Sequence, residues 1–310
     1  MLDFSHIPVS TSSAEVQTFI GDAVAVGTAW KTWLKPRGKT MAHIMLVGAG
    51  GNGGTGVIGA NSVSAGGAGG QSGAITNIVV PLHFLPDRLY LSLAGQKPTA
   101  TANFASTISI APVNTANNIL VFANGGLHGG NASAGTGGTV GTAAAIATAA
   151  NMPLGWAFIT SVCFASQVGT AGGAAVTASN LTLPVTGAFV TGGTGGGGLP
   201  AAAATGTNGG SITGAGEFPT LIGGTGSATA TVPADFGKAG MKPIFNIGYR
   251  YGGTGSASTH GTATTTGLVQ GNGGNGDLGC GGGGVGGALT TSTAGVVGYG
   301  GASFAIITCW

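Results

Sequence analysis

Charge is what this sequence has least of. Asp, Glu, Lys and Arg together make up 5 % of its 310 residues, against ~25 % in an ordinary globular chain. None of the four occurs between Lys97 and Glu217. Nine basic and seven acidic residues leave a net charge of +2. The one basic cluster, Lys31, Lys35, Arg37 and Lys39, is too small for the basic stripe that nucleic-acid binding requires and reads as a solvated loop. Disordered chains are polar and charged, so the same scarcity argues for collapse. The surface between Lys97 and Glu217 has to be built from Gly, Ala, Ser, Thr and Asn.

Cysteine is scarce and odd in number. Cys163, Cys280 and Cys309 have no regular spacing, which argues against a disulfide framework and suits buried thiols made in a reducing cytoplasm. A long apolar run is also missing. The best candidate, Ala143 to Ala165, is broken by Asn151 and Pro153, so no membrane span is expected. Asp3 stands near the start, with no basic segment or uninterrupted apolar core after it, so no secretory signal is expected.

The groups that carry chemistry are scattered. Two acids close in space are needed for general acid–base work, yet none of the seven adjoins another. Asp87 precedes Arg88 and reads as part of a surface pair or turn. His6, His43, His83, His128 and His260 show no i, i+2 or i, i+4 ligand spacing. His128 sits in a glycine loop, where solvation is the simpler reading than ligand contact. Cys280, in Leu-Gly-Cys-Gly-Gly, has no base near it in sequence to make it a nucleophile. Asn131-Ala132-Ser133 and Asn180-Leu181-Thr182 match a glycosylation sequon, which has no meaning without a secretory route. No catalytic residue, cofactor-binding residue or metal ligand is assigned, no cofactor is expected, and a receptor-binding residue cannot be named from the sequence. The chain is expected not to be an enzyme.

Glycine is what is there. It fills 66 positions, and 12 more are proline; the usual glycine share is ~7 %. Glycine raises the entropic cost of ordering the backbone, so a chain rich in it has to use what glycine alone permits. That is a positive φ in turns, backbone packed directly on backbone, or an extended polyproline-II-like helix that pairs laterally with copies of itself. The long tracts run from Gly48 to Gly73, Gly125 to Gly141, Gly192 to Gly216 and Gly267 to Gly301. Having almost no charge and adjoining apolar strands, they are expected to be ordered and stacked on one another or on other subunits.

The apolar segments between the tracts read as strands. Met41–Val47 is apolar on both faces, and Arg88–Leu93 alternates cleanly. Ile75–Val80, Thr107–Ile110, Ile119–Phe122, Ala157–Phe164, Ile244–Tyr249 and Ser303–Trp310 follow. Asn124-Gly125 is a turn signal. Ala143–Ala150 is the one helix-friendly stretch, weakened by Thr148. Residues 1–40 hold Asp3, Glu15, Asp22, the basic cluster, Trp30 and Trp33. They read as an N-terminal arm or attachment segment, or equally as an edge strand, ahead of a glycine-rich β domain over 41–310. The fold expected is all-β, a β-sandwich or jelly-roll-like domain with long ordered glycine-rich loops of polyglycine-II type. Met41–Val47 and Ser303–Trp310 are expected in one sheet.

Gly48-Ala49-Gly50-Gly51-Asn52-Gly53 fits the G-x-G-x-x-G dinucleotide pattern after an apolar strand. More glycine follows where a helix should aim its amides at a pyrophosphate, and no acid lies between Asp22 and Asp87. The pattern is therefore read as part of the tract.

The order of these features resembles a known family. Trp33, Lys35, Pro36 and Gly38 form a Trp-x-x-Pro-x-Gly turn into Met41, Ile44, Leu46 and Val47, followed by the burst from Gly48 to Gly54. The chain closes on Gly298-Tyr299-Gly300-Gly301 and the apolar run from Ala302 to Trp310. This looks like the glycine-rich domain virion proteins of bacteriophages. The resemblance covers most of the chain in outline, with a longer uncharged middle here. It implies a non-catalytic structural protein at the virion surface, made in the host cytoplasm, as a spike, fibre or capsid decoration; the alternative is a receptor-binding adhesin at a tail-fibre tip. A neutral surface and glycine tracts whose backbone groups need partners lead to the expectation of further copies of the chain, most simply a homotrimer; other capsid or tail proteins and a host-surface receptor are the partners the resemblance adds.

Overall fold

The computed structural model describes residues 14–23, 27–59, 64–96, 105–183, 189–200, 205–214, 218–228, 234–242, 249–259, 268–289 and 292–310. Two four-stranded sheets face each other across one core. The first has the order β1 (Glu15–Ile20), β12 (Phe304–Cys309), β3 (Met41–Val47), β5 (Ile75–Pro81). The second has the order β2 (Lys31–Leu34), β6 (Arg88–Ser92), β7 (Ser106–Ser109), β8 (Ile119–Ala123). Every pair within these two sheets is antiparallel. Two short pairs outside them are parallel, β4 (Ile58–Gly59) with β11 (Ala288–Leu289) and β9 (Leu181–Thr182) with β10 (Ile212–Thr213). The architecture is an all-β sandwich, in which β6–β7–β8 is a plain meander rather than part of a Greek key.

The doubly apolar strands are central because both their faces are covered. In β3, Ala42, Ile44 and Leu46 point into the sandwich, where they meet Leu89, Leu91, Ile108 and Val121 of the second sheet. Ala305, Ile307 and Cys309 of β12 join the same core. The opposite face of the first sheet carries Val47, Ile75 and Phe304, which pack with Val190 and Cys280. As expected, the first and last main strands pair: β3 and β12 run antiparallel, with Val47 opposite Phe304 and Ala42 opposite Cys309.

Of the segment 1–40, the described part supplies one edge strand to each sheet. β1 lies along β12, and β2 lies along β6 with Trp33 inserted into the core. Two sequence expectations are corrected. Ala157–Phe164 is not a continuous strand. A 3-10 turn at Trp156–Phe158 leads to single bridges from Ile159 to Ile78 and from Phe164 to Ile75. Between those bridges the Asn77 side chain donates to the Val162 carbonyl, which holds the segment off a regular ladder. No helix forms at Ala143–Ala150. Its carbonyls are taken by other segments, that of Ala144 by Ser166 and that of Ala145 by Asn124. Only a turn remains, in which the Asn151 and Met152 amides donate to the Thr148 carbonyl. The expected strand Ile244–Tyr249 lies, apart from Tyr249, outside the described residues.

Candidate functional site

Apart from two-residue strand pairings, the described glycine tracts are neither loops nor sheet. They form an array in which successive residues of one tract bond to different neighbours and every third residue returns to the same one. Along the tract 279–288, the amides of Gly281, Gly284 and Gly287 donate to the carbonyls of Thr191, Thr194 and Gly197. Those of Gly282, Val285 and Ala288 donate to Gly51, Gly54 and Val57. The tract 64–74 behaves likewise: Gly67, Gly70 and Gly73 donate to Val285, Gly282 and Gly279, while Gly66 and Gly69 donate to Gly173 and Thr170. Ala68, Gln71 and Ala74 donate to Gly130, Leu127 and Asn124. This is the behaviour of an extended helix with three residues per turn and no internal hydrogen bonds, which has to spend all its backbone groups laterally.

Three tracts are enclosed on all sides. The tract 279–288 is ringed by 48–57, 64–74, 191–199, 251–259, 270–276 and 295–301. The tracts 64–74 and 251–259 are enclosed in the same way, the latter by 207–210, 222–224, 235–241, 270–276, 279–288 and 191–199. Where glycine stands, such packing leaves no room for a side chain. A Cβ on Gly53 would lie 2.0 Å from the Gly283 carbonyl oxygen, and one on Gly255 would lie 1.8 Å from that of Gly195. Positive φ is not the reason for glycine here. Among the described residues only Gly27, Gly38, Gly135 and Gly279 have it.

The array is an extension of the sandwich. β3 and β5 pair up to Val47 opposite Ile75. The bonds then continue without slip, from Gly48 to Ala74, Gly51 to Gln71, Gly54 to Ala68 and Val57 to Ala65. The β3–β12 ladder likewise runs on as Gly50 to Gly301 and Gly53 to Gly298. Where the two parts meet, Arg250 pairs with Asp277 at 2.8 Å, and its guanidinium lies 5.0 Å from the centre of the Phe304 ring.

Polar side chains take the place of backbone where tracts diverge. Gln71, 1 % exposed, uses its amide nitrogen on the carbonyls of Gly141 and Thr142, and its oxygen accepts from the Leu127 amide and the Ser166 hydroxyl. Asn272 and Asn275, three residues apart, accept the amides of Val296 and Tyr299, also three apart. Asn52, Asn131, Asn180 and Asn208 accept those of Gly300, Thr55, Ser211 and Gly226. In the sequence Asn131 and Asn180 stand out only as glycosylation sequons and Asn52 only within Gly48–Gly53, so their role as partners of the tracts is missed there. Their recurrence beside glycine was the signal.

The opposite pole of the sandwich holds a groove of about 490 Å³ lined by Leu34, Lys35, Pro36, Arg37, Lys39, Leu82, His83, Asp87 and Arg88. The Lys35 ammonium is tied to the Leu85 carbonyl at 2.7 Å and to Asp87 at 3.3 Å.

The other candidate residues are not brought together. Gly48–Gly53 is array, not the mouth of a helix. His43 meets Asn77 across the first sheet at 3.2 Å, and burial lowers its pKa below the usual 6.5. His128 bonds the neighbouring Gly129 carbonyl, and His83 lies in the groove. Cys280 and Cys309 are buried and Cys163 half-buried, all as free thiols. Burial pushes all three thiols up, Cys309 to about 11, which disfavours thiolate. His6, His260, Asp3 and Glu217 lie outside the described residues. Among the described residues no group of His, Cys, Asp and Glu is placed to hold a metal ion, and no helix is long and apolar enough to cross a membrane. No protein-family model matches the chain, and no curated protein matches it in sequence.

Proposed function

We propose that this chain is a non-catalytic structural subunit displayed on the surface of a phage particle, as a spike, fibre or capsid decoration. The observation that carries the reading is the continuity of sandwich and array. Backbone free of side chains serves as ordered building material, in register with a packed β core, and the result is a stiff two-part body. The sequence resemblance to glycine-rich domain virion proteins points the same way. A neutral array surface offers little charge repulsion between copies, which suits a homo-oligomer, in the simplest case a trimer.

A second reading, a receptor-binding adhesin at a tail-fibre tip, is favoured by one arrangement. The tract ends at Gly59 and Ser64, at Leu199, at Thr259 and Leu268, and at Leu289 and Thr293 all lie at the end of the array away from the sandwich. These described tract ends are therefore gathered at one pole, the arrangement by which a rigid scaffold presents a recognition face. Imaging of purified particles, with the copy number of the chain per particle, tests both. Copies in the hundreds indicate decoration or coat, and a few to tens indicate a tail or vertex. Absence from purified particles overturns both readings.

A further inference from the structure

We propose that the basic groove at the pole opposite the glycine array is a docking site for an acidic peptide segment of a partner protein. Four cations, Lys35, Arg37, Lys39 and Arg88, line it with a single carboxylate, Asp87. That carboxylate lies against Lys35, which is also anchored to the Leu82 and Leu85 carbonyls. Arg37 and Arg88 are exposed at the walls. The groove thus has an excess of positive charge beside one rigidly held lysine.

The setting strengthens the inference. Two more of the nine Lys and Arg residues are held elsewhere by carboxylates: Lys31 with Asp22 at 2.8 Å, and Arg250 with Asp277 at 2.8 Å. Over the described residues from 105 to 228 no charged side chain occurs at all. A charge-poor body with four cations gathered in one cleft steers an anionic partner towards that cleft.

The occupant is argued from the same residues. Leu34, 58 % exposed, lines the groove, and Phe84, 63 % exposed, adjoins it through His83. Cations flanked by uncovered apolar side chains fit a peptide in which acidic and apolar residues alternate, more than they fit a bare phosphate or a nucleic-acid backbone. The groove belongs to the sandwich, so this proposal does not rest on the virion reading.

The test uses the full chain and a fluorescein-labelled octapeptide of alternating Glu and Leu, followed by fluorescence anisotropy. Binding is expected at low salt. It should weaken by about tenfold when ionic strength is raised from 0.03 to 0.3 M, because exposed charges are screened over a Debye length. The double variant R37E/R88E should lose about tenfold or more, the milder R37Q/R88Q less, and K238E on the array nothing. No binding overturns the proposal, as does equal loss in K238E. Tighter binding of a single-stranded DNA oligomer of the same charge overturns the peptide assignment.

Discussion

A methyl group on Gly50 would come within 1.7 Å of the carbonyl oxygen of Cys280. No rotamer relieves that approach, because both sides are main chain. Gly50→Ala is therefore expected to cost at least ~3 kcal/mol, the upper range for overpacking a filled interior. At Gly141 the nearest atoms are side chains at 3.3 and 3.4 Å, from Gln71 and Leu127. Gly141→Ala is expected to cost far less. Urea denaturation of the two variants measures the difference, and equal stability would mean that the tracts are not packed main chain on main chain.

Lateral bonding every third residue makes a prediction about insertions. One glycine added between Gly53 and Gly54 turns the rest of the tract by a third of a revolution and aims each amide at the wrong neighbour. Three added glycines restore the facing and displace excess chain towards Gly59. The triple insertion should melt closer to the parent than the single one, an order that does not follow from loop length alone.

Gln71 satisfies two donors and two acceptors from other segments. Gln71→Ala would leave several of these buried groups unpaired at a cost of about 2–4 kcal/mol. Gln71→Glu should be worse than its similarity suggests, because a carboxylate oxygen would then face the Gly141 and Thr142 carbonyls. Denaturant midpoints for the two variants check this ranking.

His43 predicts a pH dependence. Burial lowers its folded-state pKa below the 6.5 of the free side chain, so the unfolded chain binds the proton more readily. Its contribution to stability is present above about pH 6.5. That contribution is lost as pH falls from there through the lower folded value. Denaturation at pH 7.5 and pH 5 should show a decline, reduced in His43→Gln.

Thiol accessibility gives an independent check. Cys280 and Cys309 are buried with raised pKa values. Both should resist an aromatic disulfide reagent at pH 8 and react once the chain is unfolded. Rapid labelling of Cys280 in the native protein would place the junction between sandwich and array in solvent.

The sandwich was legible in the sequence and the array only in kind. Met41–Val47 begins and ends where β3 does, because Ala42, Ile44 and Leu46 alternate with half-buried partners until Gly48 interrupts. Residues 1–40 read equally as an arm or an edge strand, but the bounds of β1 and β2 are hidden because edge strands cover one face only: Val16 and Ile20 stay exposed, and Lys31 and Thr32 look like loop. Ala157–Phe164 misled because only Ile159 and Phe164 meet Ile78 and Ile75, by single bridges, while Ala157 and Val162 stay exposed. The order of the glycine tracts could be argued from their lack of charge. Which tract meets which could not be, since Gly281 and Gly282 are identical in sequence yet bond to Thr191 and Gly51. The basic groove was half visible: Lys35, Arg37 and Lys39 alternate along five residues, but Arg88 reaches them only through the pairing of Leu34 with Arg88.

The tract 279–288 runs parallel to 51–57 and 191–197 and antiparallel to 67–73, with bonds of the same kind to each. A glycine helix therefore has no preferred sense towards its neighbours. Topology in this half of the molecule is free of the handedness and crossover rules that govern sheets. Connections there can be shortened, lengthened or rewired so long as each tract keeps its place among its neighbours.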